Sequence, residues 1–395
     1  GRRADGRGPR DDVGSPHARG GQAPWKGAGV TVLMVLGTSA GGVGAHVKGL
    51  IGSLTGQGHT VVVACPPEVE EHFHFARVAT TTASLEVADR PHPTRDARAV
   101  RDLARLSAKA DVVHAHGLRA AALAVIATAR SGVPVVATLH NAAPSGALTS
   151  AVYGGLERVV ARGSDLVLGV SADLVERMRR LGARRTGLAV IAAPPRREAE
   201  RDRYAVRSEL GIGGRTSLGV VVARLAPQKG LPLLLDAHHE LSTQGLDLLT
   251  VIAGDGPLRE SLQARIDAEN LPVRLLGHRS DVPDLLRAAD VVISSAVWEG
   301  QPVGIQEALH AGAAVVATDV GGTAAVTGGA ALLVPPDDPL SLSRAIRDVV
   351  LHGSVRDDLR SKAVERSGEL PTDADAVAAA LGAYASVLGQ GPDGR

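Results

Sequence analysis

The sequence predicts an α/β protein of two doubly wound domains, each with a parallel sheet, facing one another across a central cleft. Three observations predict it. Short β-branched and aliphatic runs alternate with amphipathic stretches of helical length, the pattern of βαβ units covered by helices on both faces. The alternation breaks once, at 192–210, in a Pro-containing and heavily charged segment, and then restarts. Glycine turns follow several of the expected strands, where open α/β sheets bind their ligands.

In chain order, residues 1–28 are rich in Gly, Arg, Asp and Pro and read as a disordered tail. The first domain, 29–195, carries expected strands at 30–36, 60–64, 111–114, 133–138, 165–169 and 187–191. Helices are expected between them at 43–56, 96–108, 118–130, 150–162 and 171–181. The second domain, 196–371, begins with a linker running into a short helix. Its strands are expected at 217–223, 248–253, 272–276, 290–294, 313–317 and 331–334. Its helices are expected at 230–245, 257–269, 281–288, 303–311, 339–352 and 355–366. A last helix at 373–388 follows Pro371, within a terminal segment 372–395.

A length of 395 residues suits two or three domains. The 43 Lys+Arg and 42 Asp+Glu residues leave a net charge of +1, too little for a long-range field toward nucleic acid. Only seven residues are Phe, Trp or Tyr, which argues against a stacking platform for bases. Five lysines stand among the 43 basic residues, so each lysine carries more information than an arginine. Cys65 is the one cysteine, which excludes an intramolecular disulfide and a Cys-based zinc site. The apolar run 30–36 is too short to span a membrane, and no cleavage-site pattern of a signal peptide accompanies it. The expected compartment is the cytoplasm.

The chemistry-bearing residues fall after strands. Gly37–Gly44, with Gly41, Gly42 and Gly44, opens a helix and lets a ligand approach its N-terminus. A tight turn without a ligand is the plain alternative. A dinucleotide site wants an acid at the end of the next strand, which reads Ala64-Cys65-Pro66, leaving only Glu68. His114 and His116 share a strand face, and His140 ends a neighbouring strand. A three-histidine metal site is conceivable there, but no carboxylate motif accompanies it. His140 is the stronger candidate, placed to bond a hydroxyl or move a proton.

In the second domain, Arg224 and Lys229 lie five residues apart in a loop ahead of a helix, a fork and a point charge that suit a diphosphate. Gly254-Asp255-Gly256-Pro257 reads mainly as a tight turn, with Pro at the first helical position. Gly277-His278-Arg279 could line a base pocket through its backbone. Glu299 and Glu307 flank Gly300, Gln301, Pro302, Val303 and Gly304 at a helix start, pairing two hydroxyl-binding carboxylates with unsatisfied amides. A capped surface helix is the plain alternative. Gly321-Gly322 forms another glycine turn opening on the cleft.

In order and spacing these marks resemble the retaining glycosyltransferases of the GT-B fold, glycosyltransferase family 4, over residues 30–388. The marks are Gly41–Gly44, Asp111-Val112-Val113-His114, Arg224 with Lys229-Gly230, Gly254–Pro257, Glu299-x7-Glu307 and Val320-Gly321-Gly322. The resemblance implies that Arg224 and Lys229 bind the diphosphate of a UDP- or GDP-linked sugar. Glu307 would hold ribose hydroxyls. Glu299 and the amides of Gly300 and Gln301 would orient the sugar, and Val303 and Gly304 would touch phosphate. His140 would reach a sugar hydroxyl near the anomeric carbon. The Gly42–Gly44 turn would face donor or acceptor, and the last helix would cross back to the first domain.

No cofactor and no metal are expected, since the one Asp-x-Asp, Asp373-Ala374-Asp375, heads the last helix. The acceptor would be a small molecule, a glycan or a lipid-linked hydroxyl. A sugar phosphorylase, a nucleotide-sugar epimerase or a non-catalytic binding protein are the alternative functions. Arg177, Arg179, Arg180, Arg184 and Arg185 could touch anionic lipid at the inner face of a membrane, but read better as a solvated helix end. Gln301-Pro302, Gln306 and Ala192–Pro195 depart from the family pattern and bear on the sugar and the hinge.

Overall fold

The structure, a computed structural model, describes residues 29–389 apart from 39–40, 88–91 and 142–146, and the side chains of 147–151 are also outside the description. The tail expected at 1–28 lies outside the described residues.

The first half runs β1 (Thr31–Leu36), α1 (Gly42–Gly56), β2 (Thr60–Cys65), α2 (Pro67–Phe73), β3 (Thr81–Ser84), α3 (Pro93–Ser107), β4 (Val112–His116), α4 (Leu118–Thr128), β5 (Val135–Leu139), α5 (Ala147–Gly163), β6 (Leu166–Gly169), α6 (Ala172–Arg180) and β7 (Thr186–Leu188). Its seven strands pair in parallel in the order β3-β2-β1-β4-β5-β6-β7.

The second half runs α7 (Arg203–Glu209), β8 (Ser217–Val222), α8 (Leu231–Thr243), β9 (Leu248–Ala253), α9 (Arg259–Ala268), β10 (Val273–Gly277), α10 (Val282–Ala288), β11 (Val291–Ser294), α11 (Val303–His310), β12 (Val315–Thr318), α12 (Thr323–Thr327), β13 (Ala331–Val334), α13 (Pro339–Leu351), α14 (Gly353–Ser367) and α15 (Asp373–Val387). Its six strands are again parallel, ordered β10-β9-β8-β11-β12-β13.

Both sheets are buried on both faces, which is why their strands read as near-continuous apolar runs. Each strand order reverses once, between β1 and β4 and between β8 and β11. Adjacent strands whose helices leave to opposite faces open a crevice at their carboxyl ends. The loops after β1, β8 and β11 are therefore placed by topology, and they carry the glycine turn, Arg224 with Lys229, and Glu299.

The chain ends by returning to the first sheet. Thr372 and Asp375 form a reciprocal capping box that starts α15 after Pro371. Val377, Ala380, Leu381 and the fully buried Tyr384 complete the core on one face of the first sheet, beside α1. The two crossings between the halves lie side by side, Ala193 N–H donating to the Pro371 carbonyl at 2.8 Å.

Three elements depart from the sequence expectation. The edge strand β3 is Thr-Thr-Ala-Ser, half-exposed, with no apolar run to signal it. The short helices α2 and α12 fall where only a strand end and a glycine turn were expected. The described helices include none long and apolar enough to cross a membrane.

Candidate active site

The second sheet builds one wall of the crevice from three loops locked together. After β8 the chain reaches Lys229 on a single tight turn and then Gly230, whose φ is 58°. A Cβ at Gly230 would sit 1.9 Å from the Ser295 carbonyl oxygen, so only glycine lets the loop after β8 lie against the loop after β11. Ser295 Oγ then donates to the Lys229 carbonyl at 3.1 Å, and Val297 N–H to the Gln228 carbonyl at 2.9 Å. The loop after β12 closes the set. Gly322 N–H donates to the Glu299 carbonyl at 2.8 Å, and a Cβ there would meet Gly300 O at 1.9 Å.

This framework aims the side chains. Lys229 Nζ pairs with the Glu299 carboxylate, which is buried. A cavity of about 30 Å³ lies beneath the pair, lined by Val222, Ser294, Pro302 and Gly304 among others. Arg224 is exposed, and its guanidinium has no partner among the described residues. The Gly300, Gln301, Val303 and Gly304 amides likewise meet no acceptor among the described residues, as expected at the uncapped start of α11. Glu307 lies further along α11. Burial pushes its carboxyl up from the usual carboxylate range, and the Arg197 charge partly offsets this.

The first half supplies the opposite wall. Gly42 opens α1, and a Cβ there would lie 3.2 Å from Val303 Cγ2, so the N-termini of α1 and α11 approach each other. Both ends are positive and carry free amides, an arrangement that attracts an anion. His140 follows β5 and is buried; its carbonyl oxygen would lie 3.2 Å from a Cβ at Gly300. Trp298 Nε1 donates across the crevice to Asp173 at 2.9 Å.

Behind His140 stands a histidine cluster. His116 Nδ1 is 3.0 Å from His140 Nε2, with the rings stacked at 5.3 Å. His116 Nε2 is 3.2 Å from Met34 Sδ. The His114 ring lies tilted against that of His116, centroids 4.2 Å apart, and bonds the Tyr384 hydroxyl and Thr138, both at 2.8 Å. His46 of α1 lies 6.3 Å from His140. Burial depresses all of them: His46 to about 4, His114 and His140 to about 3, and His116 well below the ordinary value. They are neutral imidazoles at physiological pH. His114, His116 and His140 meet as the strand positions required, but through ring contacts and one hydrogen bond, between His116 and His140. Among the described residues no group of three His, Cys, Asp or Glu side chains is arranged to hold a metal.

One sequence expectation is corrected, and other candidates are found in structural roles. Gly44 is not open to a ligand; the Phe73 ring covers it, with a Cβ there only 2.2 Å from that ring, so its missing side chain serves the packing of α2 on α1. Arg279 spends its guanidinium on Asp281 (2.7 Å) and Glu209 (3.0 Å), tying α7 to the start of α10 and leaving only backbone for a base. Its neighbour His278 is exposed. Gly254 braces the Arg224 loop, since a Cβ there would meet Ala223 O at 1.9 Å. Of the arginine cluster, Arg177 grips buried Glu157 through two bonds of 2.6 and 2.7 Å, Arg179 pairs with Glu176, and Arg185 bonds the Ser386 carbonyl. Those three side chains have protein partners.

The sequence reading missed Met34, His46 and Tyr384. His46 had a usable signal, four residues after Gly42 on the same helix. Tyr384 had none, being 270 residues from His114.

Two family profiles match the chain. One, for glycosyl transferases group 1, covers residues 217–352, and the other, a glycosyl transferase 4-like domain, covers residues 41–194. The UDP-Gal:alpha-D-GlcNAc-diphosphoundecaprenol alpha-1,3-galactosyltransferase of Escherichia coli is 30% identical over 230 residues, 54% of this chain and 59% of that protein. The putative teichuronic acid biosynthesis glycosyltransferase TuaC of Bacillus subtilis is 29% identical over 246 residues, 60% of each chain. The match thus spans about three fifths of those relatives' length. Among solved structures, Anabaena HepE in complex with UDP superposes with a TM-score of 0.75 at 19% identity, covering 90% of this chain and 100% of that one. That likeness shows the fold, GT-B.

Proposed function

The chain belongs to the group 1 glycosyl transferases of family 4, and from that premise we propose that it moves a sugar from a UDP- or GDP-linked donor to a hydroxyl acceptor. The observation that carries this is the meeting of Lys229, Glu299 and the start of α11, with its free amides, around one cavity, with Arg224 exposed in the loop that carries Lys229. Breaking a glycosyl–phosphate bond leaves negative charge on the diphosphate and positive charge on the sugar. Preorganised cations and amides stabilise the departing diphosphate without having to reorganise. Lys229 can keep its contact with Glu299 while offering its other N–H groups to a phosphate oxygen. The Glu299 carboxylate can in turn accept hydrogen bonds from the sugar, and Glu307 from the ribose hydroxyls.

We assign retention of anomeric configuration, with attack from the face the diphosphate leaves, and no requirement for a divalent metal. The fixed cations support the second point, because they can carry the leaving-group charge that a metal would otherwise neutralise. The acceptor is a small molecule, a glycan or a lipid-linked hydroxyl; the paired state of Arg177, Arg179 and Arg185 favours none that requires membrane contact.

A panel of UDP- and GDP-sugars, incubated with chelator present and product configuration read by NMR, tests all of this. Transfer with retained configuration is the expected result. Turnover that needs free phosphate would make the protein a phosphorylase, and sugar inversion without acceptor would make it an epimerase. Donor binding with no turnover on any acceptor supplied would favour a binding protein.

A further inference from the structure

His140 ends β5 on the first-half wall, its carbonyl beside Gly300, and its buried ring has two chemically opposite nitrogens, so what that ring offers a partner depends on which one carries the proton. The neighbours of His116 decide this. On one side, His116 Nε2 lies 3.2 Å from Met34 Sδ. A thioether has lone pairs and no hydrogen, so this contact is favourable only if His116 Nε2 carries the proton. The opposite tautomer would set two lone pairs against each other in a buried place.

A neutral imidazole has one N–H, so His116 Nδ1 is then bare. It lies 3.0 Å from His140 Nε2, and a hydrogen bond there must come from His140. His140, also neutral, then has a bare Nδ1, which meets no partner among the described residues. His114 imposes no direction of its own, because Tyr384 and Thr138 both offer hydroxyls that can donate or accept. Its tilted ring, with centroids 4.2 Å apart, packs against the His116 ring.

We infer that Met34 and His116 act as positioning residues that fix the tautomer of His140, so that it presents a hydrogen-bond acceptor to the crevice. Resting on the proposed function, this means that His140 selects a donor sugar carrying a hydroxyl hydrogen at that position. A deoxy, fluoro or O-methyl analogue there leaves the imidazole lone pair unmet.

The test is a long-range 1H–15N spectrum of the ligand-free protein with labelled histidine. It should show His116 and His140 both protonated at Nε2, with the His140 Nδ1 shift that of a bare nitrogen. In Met34→Leu the sulfur is gone, the His140 signals should move toward a tautomer mixture, and kcat/KM should fall about fivefold to tenfold, the scale of one hydrogen bond. A wild-type His140 protonated at Nδ1 would overturn the inference, as would unchanged tautomers in Met34→Leu. The wild-type spectrum needs no variant, so a folding defect in Met34→Leu cannot hide the answer. If the spectra agree but His140→Ala transfers sugar at the normal rate, the tautomer relay stands and the sugar contact assigned to His140 falls.

Discussion

The two walls of the crevice grow from the same topology and solve opposite chemical problems. Each is the reversal point of a parallel sheet, with glycine-shaped loops leaving strand ends. The second-half wall concentrates full charges, Arg224, Lys229, Glu299 and Glu307, in loops and at a helix start. The first-half wall carries buried neutral imidazoles at strand ends, backed by Met34, Thr138 and Tyr384. Permanent charges suit a diphosphate, whose charge persists at any working pH. Neutral imidazoles suit hydroxyls, for which the direction of a hydrogen bond matters more than charge. The first wall should therefore be insensitive to pH in function near neutrality and sensitive to acid in stability.

Removing a charge from the second wall is the strongest way to break this contrast. Lys229→Ala should lower kcat by about 100-fold to 1000-fold, the scale of losing one preorganised electrostatic donor. Single-turnover kinetics would check it, and a loss confined to KM would assign Lys229 to ground-state binding instead.

Acid is the next lever, and it acts on the first wall. His46 is held down to about 4 by burial, against 6.5 when exposed. The unfolded chain therefore binds more protons than the folded one below pH 6.5. Stability is fully present above that pH and is lost as pH falls from 6.5 toward 4, with little further change below. At pH 4.5 this single group costs about 2 kcal/mol relative to pH 7.5. Urea melts at both pH values should show a smaller acid loss in His46→Gln than in the wild type. An equal acid loss in both would mean that His46 is not held neutral in the fold.

A smaller effect tests Glu307. Glu307→Gln keeps the shape and removes a charge-assisted acceptor, so nucleoside diphosphate affinity should fall about tenfold. Calorimetric titration reads this directly, and unchanged affinity would move the ribose contact elsewhere. The smallest effect lies away from both walls. Arg177 is half-exposed, yet it pairs with the buried Glu157 carboxylate. Arg177→Ala should cost about 1 kcal/mol of stability, discounted for solvent screening on the arginine side. Vesicle binding should not change; loss of such binding would revive a membrane role.

The second wall was far more legible in the sequence than the first. A lysine among only five, five residues after an arginine and just ahead of a helix, carries its own signal, and so do two glutamates flanking a glycine–proline helix start. The domain alternation was legible because strands buried on both faces leave unbroken apolar runs. β3 was not, because an edge strand of Thr and Ala has no such run. The histidine wall was only half visible. His114, His116 and His140 could be placed on adjacent strands from spacing alone. Their hydrogen-bond directions could not, since these depend on Met34 from β1 and Tyr384 from α15, contacts made only by the folded chain. Gly44 misled for a related reason. A glycine fitted to a neighbouring ring reads like a glycine fitted to a ligand.

The most direct test of the charged wall is thermal stabilisation by UDP and GDP, each compared with its nucleoside, in chelator-containing buffer. One diphosphate should raise the Tm of the wild type while its nucleoside does little. The double variant Arg224→Ala/Lys229→Ala should melt lower without ligand, because buried Glu299 loses its partner, and should lose most of the ligand-induced shift measured from its own baseline. An undiminished diphosphate shift in that double variant would contradict the account.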